Sequence, residues 1–188
     1  MGTVEVEARF RLGAGCSVSD VVARLGLTVG EPVRQDDQAY APTGWDYSQG
    51  RLRVTFARLR SQGDDCLFTV KQPVTDVSTC IEYQCRVDDR DAMHRAILLM
   101  GFAPTVRIVK TRQMVQVHER FALCLDEVEG VGAFLEVEAM TTSDADYDSL
   151  REELDQLVAS LELDVVPCTE TYDTLVYAAT QAVAGDLA

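Results

Sequence analysis

The sequence predicts an α+β protein in which an eight-stranded antiparallel β-barrel surrounds a tunnel and is flanked by several helices. Three observations support this fold class: eight segments alternate like strands, charges recur on one side of these strands, and amphipathic helices interrupt or follow them. Alternation with a period of two places successive side chains on opposite faces of a strand. Eight such strands are enough to close a small barrel.

The first predicted strand, residues 3–12, shows the unusual charge pattern most clearly. Its apolar side chains alternate with two carboxylates and a guanidinium, those of Glu5, Glu7 and Arg9. A polar face of this kind is either exposed to water, as in most half-buried sheets, or lines an interior. This strand alone leaves both interpretations open.

Seven further segments complete the predicted set of strands. Glycine-containing turns at Gly63 and at 130–132 predict hairpins between neighbouring strands. The remaining strands are predicted at 32–41, 50–60, 66–71, 79–88, 104–113, 115–126 and 132–141.

Four helices are predicted between and after the strands. The first, 17–25, has a capping serine at its start and stops at Gly26, and the second covers 91–100. The third, 144–161, has leucines at helical spacing and acidic residues in its first turn, which the helix dipole favours. A last helix is predicted near 171–183.

Charged side chains recur on one side of at least five strands, whereas the other side is apolar. If the strands close, the charged faces line a tunnel, and opposite charges on facing walls partly compensate one another. The basic candidates are Arg9, Arg58, Arg60, Lys71, Lys110 and Arg112, and the acidic candidates are Glu5, Glu7, Glu82, Asp126, Glu136 and Glu138.

The chemistry of these candidates indicates a bound phosphate compound and a metal ion. Arginine and lysine suit phosphate oxygens, and carboxylates that converge without histidine or cysteine suit a hard divalent cation, Mg²⁺ or Mn²⁺. A basic wall facing an acidic wall is the arrangement that phosphoryl or nucleotidyl transfer needs, because that catalysis rests on positioning and charge neutralisation.

Length and charge limit the possible partners. The 188 residues are predicted to form a single domain, 1–188, with a net charge of −14. Residues 126–188 hold 16 of the 31 acidic residues and one basic residue, Arg151. This acidic part argues against a nucleic-acid-binding surface, although a small polyanion can still bind in a local basic pocket.

Other sequence features predict a cytoplasmic protein without a membrane partner. No apolar run approaches the ~20 residues of a membrane helix, and the N-terminus lacks the pattern of a signal peptide. The six cysteines are scattered without a C-x-x-C pair, which predicts reduced thiols. Neither histidine, His94 or His118, is expected to be catalytic.

The order and spacing of several motifs resemble the CYTH family, the triphosphate tunnel enzymes that include class IV adenylyl cyclases and thiamine triphosphatases. The E-x-E-x-R first strand is similar to the family's E-x-E-x-K strand. The later motifs QDDQAYAP, ARLR, TVKQP, IEYQ, KTR and LDEVEGVGAFLEVE follow in the family's order. The resemblance covers about residues 3–141, and the acidic helices at 144–183 and the segment T-Y-x-x-L are also similar to the family's C-terminal part.

Two departures from the family pattern bear on the site. Arg9 replaces the family's lysine, and because arginine keeps its proton it can bind phosphate but cannot act as a base. Ala39 stands where an aromatic residue is common in the family, and this difference leaves the identity of the substrate undetermined.

The resemblance, together with the charge pattern, implies a role for each candidate. Glu136, Glu138, Lys71 and Arg112 are expected to be catalytic, and the basic candidates are expected to hold the phosphates. Glu82 is assigned to substrate binding, with a further metal ligand or a partner that orients the cations as the alternatives. The expected ligands of Mg²⁺ or Mn²⁺ are Glu5, Glu7, Asp126, Glu136 and Glu138, although Asp126 could also orient the neighbouring cations.

Three functions remain open from the sequence. The first is a cyclase that converts ATP to cyclic AMP and pyrophosphate, which the resemblance favours. The second is a triphosphatase that hydrolyses tripolyphosphate, thiamine triphosphate or a nucleoside triphosphate. The third is a non-catalytic module that binds a polyphosphate or nucleotide. A homodimer is expected from the resemblance alone.

Overall fold

The computed structural model describes residues 3–26, 28–117, 119–142 and 144–186, so His118 lies outside the described residues. The strands are β1 (Thr3–Leu12), β2 (Val33–Pro42), β3 (Phe56–Gln62), β4 (Asp65–Pro73), β5 (Thr79–Arg86), β6 (Phe102–Val117), β7 (Phe121–Val128), β8 (Gly132–Thr142) and β9 (Val165–Pro167). The helices are α1 (Val18–Leu25), α2 (Arg90–Leu99), α3 (Tyr147–Ser160) and α4 (Tyr172–Asp186).

Strands β1 to β8 form the predicted closed antiparallel barrel. Around the barrel the order is β1, β5, β4, β3, β2, β6, β7 and β8, and β8 pairs with β1 again. Because every pair is antiparallel, the end of one strand meets the start of its neighbours at each end of the barrel. The predicted fold class is therefore confirmed.

Strand β1 closes the barrel along a seam that it shares with two other strands. β5 pairs with its first residues, from Val4 to Val6, and β9 pairs with its last residues, from Phe10 to Leu12. Between them, the Glu7 amide donates to the Ser78 carbonyl at 2.9 Å. The chain after β9 continues the seam, because the Cys168 amide donates to the carbonyl of Arg9 at 2.8 Å.

The apolar sides of the strands face outward, where helices cover them. Helices α1 and α3 pack on β1, β7 and β8, and they contribute Val21, Leu150, Leu154 and Val158 to the largest apolar cluster. Helix α2 covers the strands β2 and β3 with the fully buried Ile97. Burial of the apolar faces under helices leaves the polar faces to form the inside of the barrel.

The helix boundaries follow capping side chains that the sequence already shows. Ser17 and Asp20 form a capping box, in which each side chain accepts a hydrogen bond from the other residue's amide. Asp89 and Asp146 cap the next two helices in the same position, by accepting from the amides of Ala92 and Ser149. The four predicted helices are confirmed, with shifts of a few residues at their ends.

Three strand predictions differ from the structure. The strand predicted at 50–60 begins only at Phe56, because the preceding loop includes Arg53 in the left-handed backbone region with φ of 61°. The break predicted at Met114 is wrong, since β6 continues through it to Val117. The three-residue β9 was not predicted, because a segment of that length shows no periodicity.

Candidate active site

The polar faces of the strands enclose a cavity of about 610 Å³ inside the barrel. The tunnel interpretation of the charge pattern is therefore the one that the structure supports. Among the described residues the lining holds seven basic and seven acidic side chains, so the two signs of charge balance. These are Arg9, Arg51, Arg58, Arg60, Lys71, Lys110 and Arg112, and Glu5, Glu7, Asp37, Glu82, Glu136, Glu138 and Asp173.

Asp126 lies behind the lining and holds two of the lining cations in place. Its fully buried carboxylate accepts from Lys110 Nζ at 2.8 Å and from Arg112 Nε at 2.7 Å, and the Tyr172 hydroxyl donates to it at 2.9 Å. Burial would raise the pKa of Asp126, but the charges of Arg112 and Lys110 outweigh burial and lower it. Because donors already surround this carboxylate, the arrangement favours an orienting role.

Lys110 is the lining cation whose charge is most strongly disfavoured. Burial first, and then the nearby charge of Arg112, lower the pKa of Lys110 to about 8, although Asp126 acts in the opposite direction. Its ammonium group also lies 4.6 Å from the centre of the Tyr172 ring. An anion entering the tunnel would stabilise the protonated form of this side chain.

Glu136 on β8 bridges two guanidinium groups, that of Arg9 on the neighbouring β1 and that of Arg112 on β6, two strands away. Arg9 Nε donates to Glu136 Oε1 at 2.6 Å, and Arg112 Nη2 contacts Oε2. Burial would raise the pKa of Glu136, but the charges of Arg9 and Arg112 hold it well below the usual value. This carboxylate therefore stays ionised and fixes both arginines.

Arg60 and Arg58 are held by Asp37, which was not among the candidates. Arg60 donates two hydrogen bonds of 2.7 Å to the Asp37 carboxylate, whereas Arg58 lies 3.8 Å from it. Asp37 belongs to the Q-x-D stretch of β2, and its pairing with Arg60 across β2 and β3 follows from the strand register. The alternation of β2 could have identified Asp37 as a lining residue, because Gln35 and Asp37 both lie on the inner face of that strand.

Lys71 lies between two carboxylates, as the sequence pattern allows. Its ammonium contacts Glu5 and lies 2.7 Å from Glu82 Oε2. Burial would lower the pKa of Lys71, but the two carboxylates raise it above its ordinary value. Lys71 is less buried than Glu5 and Glu82, with 30% of its side chain exposed, so it can turn toward a ligand in the tunnel.

Glu138 has no basic partner within 4 Å in the described part of the chain, unlike the other acidic candidates. Its carboxylate accepts a hydrogen bond from the Cys124 thiol, which donates to Oε1 at 3.5 Å. Burial and the neighbouring charge of Glu5 raise the pKa of Glu138 to about 7. Burial likewise raises the pKa of Glu7, even though Arg9 contacts it. Negative charge is therefore in local excess around Glu138 and Glu7.

One end of the tunnel is closed by the start of α4. Tyr172 packs edge-on against Phe134 at 5.1 Å, and the Arg9 guanidinium lies 4.4 Å from the centre of the tyrosine ring. Ile108 and Val128 complete an apolar cluster with these two rings. We call this region the closed end of the tunnel.

Arg51 also lies at the closed end, although it was not among the basic candidates. Its Nη1 donates to Asp173 at 2.9 Å, and the pair links the loop before β3 to α4. Tyr47 and Tyr177 stack beside it with ring centres 4.0 Å apart. A lone arginine in a loop carries no periodic signal, so the sequence could not identify it.

The remaining histidine and arginines lie away from the tunnel lining. His94 Nδ1 lies 2.8 Å from the Tyr40 hydroxyl under α2. Arg86 has 75% of its side chain exposed and pairs with Asp65. Within the described ranges, no helix is long and apolar enough to cross a membrane.

The carboxylates of the lining are the groups that could bind a divalent metal ion. No three acidic, histidine or cysteine side chains of the described residues stand close enough together to bind one ion as they are placed. Their donor chemistry nevertheless fits, because the wall of Glu5, Glu7, Glu136 and Glu138 offers only carboxylate oxygens. The unpaired Glu138 marks the place where a hard cation would relieve the excess negative charge.

Comparison with known proteins shows similarity over most of the chain. Residues 3–167 match the CYTH domain. Adenylate cyclase CyaB of Aeromonas hydrophila is 25% identical over 175 residues, which cover 93% of this chain and 89% of that protein. The Methanocaldococcus jannaschii protein MJ0240, provisionally named an adenylate cyclase, is 24% identical over 162 residues, covering 85% of this chain and 90% of that protein.

A solved structure with the same fold supports the barrel. The PH1819 protein from Pyrococcus horikoshii superimposes with a TM-score of 0.75 at 24% identity, and the match covers 89% of this chain and 95% of that one. A match of this extent shows that the two proteins share the fold.

Proposed function

Because this chain belongs to the CYTH family, we propose that it is a metal-dependent enzyme that converts ATP to cyclic AMP and pyrophosphate in its tunnel. The observation that carries this proposal is the set of seven cations that line the cavity, six of them on strands of the barrel and most of them paired with buried carboxylates. The names of the Aeromonas hydrophila and Methanocaldococcus jannaschii relatives support the choice of a cyclase.

The basic wall would bind the triphosphate because its cations are already oriented. Asp126 holds Lys110 and Arg112, and Asp37 holds Arg60, so little side-chain entropy is lost when phosphate oxygens arrive. Arg58 has the loosest ion pair of the lining cations, since it lies 3.8 Å from Asp37, its Nη2 donates only to the Thr69 hydroxyl at 3.1 Å, and its buried Nε has no hydrogen-bond partner in the described chain.

The acidic wall would hold the divalent ion that the family implies. Glu5, Glu7, Glu136 and Glu138 are the residues that would bind it, and their all-oxygen chemistry supports Mg²⁺ or Mn²⁺. When bound, the ion supplies positive charge to phosphate oxygens and lowers the pKa of an attacking hydroxyl or water. Lys71, which pairs with Glu5 and Glu82, would donate to a phosphate oxygen of the bound substrate.

In the cyclase reaction the 3′-oxygen of ATP forms a bond to the α-phosphorus while the bond to the bridging oxygen of the β-phosphate breaks. The hydroxyl proton passes to solvent, and the electron pair of the broken bond leaves with pyrophosphate. The arginines of the basic wall stabilise the negative charge that grows on the leaving group. Tyr172 and Phe134 at the closed end keep water away from that side of the tunnel.

A triphosphatase is the second candidate function. The cations continue around the lining from Arg58 through Arg60 to Lys110, and each of them recognises phosphate oxygens alone. A site built in this way also accepts inorganic tripolyphosphate, with water attacking the terminal phosphorus. The predicted cytoplasmic location and homodimer stay predictions beside either function.

Product analysis distinguishes these functions. The purified protein is incubated with ATP or tripolyphosphate and Mg²⁺ or Mn²⁺, and the products are separated by chromatography. Cyclic AMP with pyrophosphate is expected for the cyclase, whereas free phosphate from either compound indicates a triphosphatase. Binding of both compounds without any turnover would contradict an enzymatic function and support a binding module.

A pair of arginine variants tests the basic wall in the same assay. Arg58→Ala is expected to lower turnover and triphosphate affinity at least tenfold, because one loosely paired lining cation is lost. Arg107→Ala is the matched control, since Arg107 pairs with Asp36 on the outside of the barrel with 63% of its side chain exposed. Equal effects of the two changes would refute the assignment of the lining.

A further inference from the structure

The end of the tunnel opposite Tyr172 is surrounded by uncharged side chains. Because the strands alternate in direction, the last residues of β3, β5 and β8 meet the first residues of β2 and β4 at this end. The uncharged residues that line the cavity there are Gln35, Gln62, Leu67, Gln84, Met114 and Met140, which we call the neutral rim.

The neutral rim contrasts with the charged wall immediately behind it. Gln62 lies two residues beyond Arg60 on β3, and Met140 lies two residues beyond Glu138 on β8, a separation of about 7 Å along each strand. Further out, Asp65 and Arg86 neutralise one another in an exposed salt bridge. A long ligand with its phosphates among the cations would therefore place an uncharged group at the rim.

Two amides of the neutral rim form a pair with unused hydrogen-bonding capacity. Gln35 Nε2 donates to Gln62 Oε1 at 2.7 Å, and the buried Gln35 Oε1 has no hydrogen-bond partner among the described residues. The pair thus offers one acceptor, on Gln35, beside one donor, on Gln62. Exchange of oxygen and nitrogen in both amides would still leave one donor and one acceptor.

The methionines supply the apolar part of the neutral rim. Met114 and Met140 are 45% and 55% exposed, which is unusual for side chains of this size. Thioethers make favourable contacts with aromatic rings and adapt to their shape. At the closed end, by contrast, Tyr47 already stacks on Tyr177 and Arg51 already pairs with Asp173, so those groups are not free to receive a ring.

From these observations we infer that the neutral rim binds the heteroaromatic base of a nucleoside triphosphate. The paired amides of Gln35 and Gln62 would contact an amino group and an adjacent ring nitrogen, as on the edge of adenine, while Met114 and Met140 pack against the ring. This inference rests on the proposed function and adds which residues recognise the base of ATP; inorganic tripolyphosphate would leave the rim empty.

The inference is tested by measuring the binding of two probes, ATP and tripolyphosphate, by calorimetry. Both are measured with Ca²⁺, a hard cation that binds oxygen ligands with a different geometry from Mg²⁺. The Gln35→Leu/Gln62→Leu variant replaces both partners of a buried hydrogen bond by apolar groups, a change that proteins tolerate well. Two lost hydrogen bonds to the base should weaken ATP binding about tenfold while tripolyphosphate binding is unchanged.

A second variant and a control accompany this measurement. Met114→Ala/Met140→Ala changes half-exposed side chains and should weaken ATP binding several-fold, again without an effect on tripolyphosphate. Gln113→Leu is the control, because the Gln113 amide donates to the Gly30 carbonyl outside the cavity. It should leave the binding of both probes unchanged.

Each outcome separates this inference from the proposed function. Selective loss of ATP affinity in both rim variants supports the inference. If wild-type protein binds both probes but the rim variants bind ATP normally, or lose both probes equally, the inference is wrong and the proposed function stands. If wild-type protein binds neither probe, the proposed function fails and the inference fails with it.

Discussion

The substitution Asp126→Asn should cause a large loss of stability, because this carboxylate is the shared partner of two buried cations. It is fully buried and accepts hydrogen bonds from Lys110, Arg112 and Tyr172. Removing one member of a buried ion pair costs about 3–5 kcal/mol, since the remaining charge is left without compensation. Arg112 keeps its contact with Glu136, so we expect a value near the lower limit, about 3 kcal/mol.

The loss is measured as a shift in thermal unfolding of the purified variant. For a protein of this size, about 1 kcal/mol corresponds to roughly 2–4 °C, so the midpoint should fall by roughly 6–12 °C. Chemical denaturation gives an independent value of the free energy of unfolding, and an unchanged slope would show that the same surface is exposed.

A matched surface pair provides the control. Asp36 forms two hydrogen bonds to Arg107 in the same geometry, but on the outside of the barrel. Exposed pairs contribute about 0–1 kcal/mol, so Asp36→Asn should shift the midpoint by only a few degrees. A loss below 1 kcal/mol for Asp126→Asn, or equal losses in the two variants, would refute the view that Asp126 compensates the buried cations.

Three further predictions concern other parts of the molecule. Arg51→Ala should release the start of α4 from the barrel, because the pair with Asp173 is lost, and limited proteolysis should then cleave the C-terminal helix several times faster. Glu138→Gln should lower metal-dependent turnover at least tenfold and leave thermal unfolding nearly unchanged; normal turnover would remove Glu138 from the acidic wall. Ser17→Ala should cost about 0.5–2 kcal/mol of stability in denaturant, because the capping box with Asp20 is lost, and it should leave turnover as it was.

Much of the fold could be predicted because strand periodicity is a local property. The alternation in β1 places Glu5, Glu7 and Arg9 on one side, and the structure has them on the inner face of the barrel. The direction in which that face points is not local, since it depends on closure of the sheet through pairing of β1 with β5. Recurrence of charge on several strands was the signal that favoured closure.

The parts of the site that the sequence did not identify depend on contacts between distant segments. Arg51 enters the lining because α4 returns to the barrel and brings Asp173 next to it. The sequence identified Asp37 only as part of a motif. Its pairing with Arg60 follows from the register of β2 and β3, which the sequence alone does not give. Which carboxylates bind the metal and which orient the cations stays a prediction. A carboxylate can do either, and the sequence carries no signal that separates the two roles.

The shared seam on β1 has a consequence for how the protein is made. The first strand leaves the ribosome early, but β9 and the segment around Cys168, which complete its hydrogen bonds near Arg9, are synthesised more than 150 residues later. Until then, the nascent chain exposes an unpaired edge beside a row of ionised groups, and such edges invite pairing with other chains. The cylinder can therefore seal along this seam only after residues 165–168 have been synthesised, and deletion of these residues should yield aggregating protein in place of a smaller barrel.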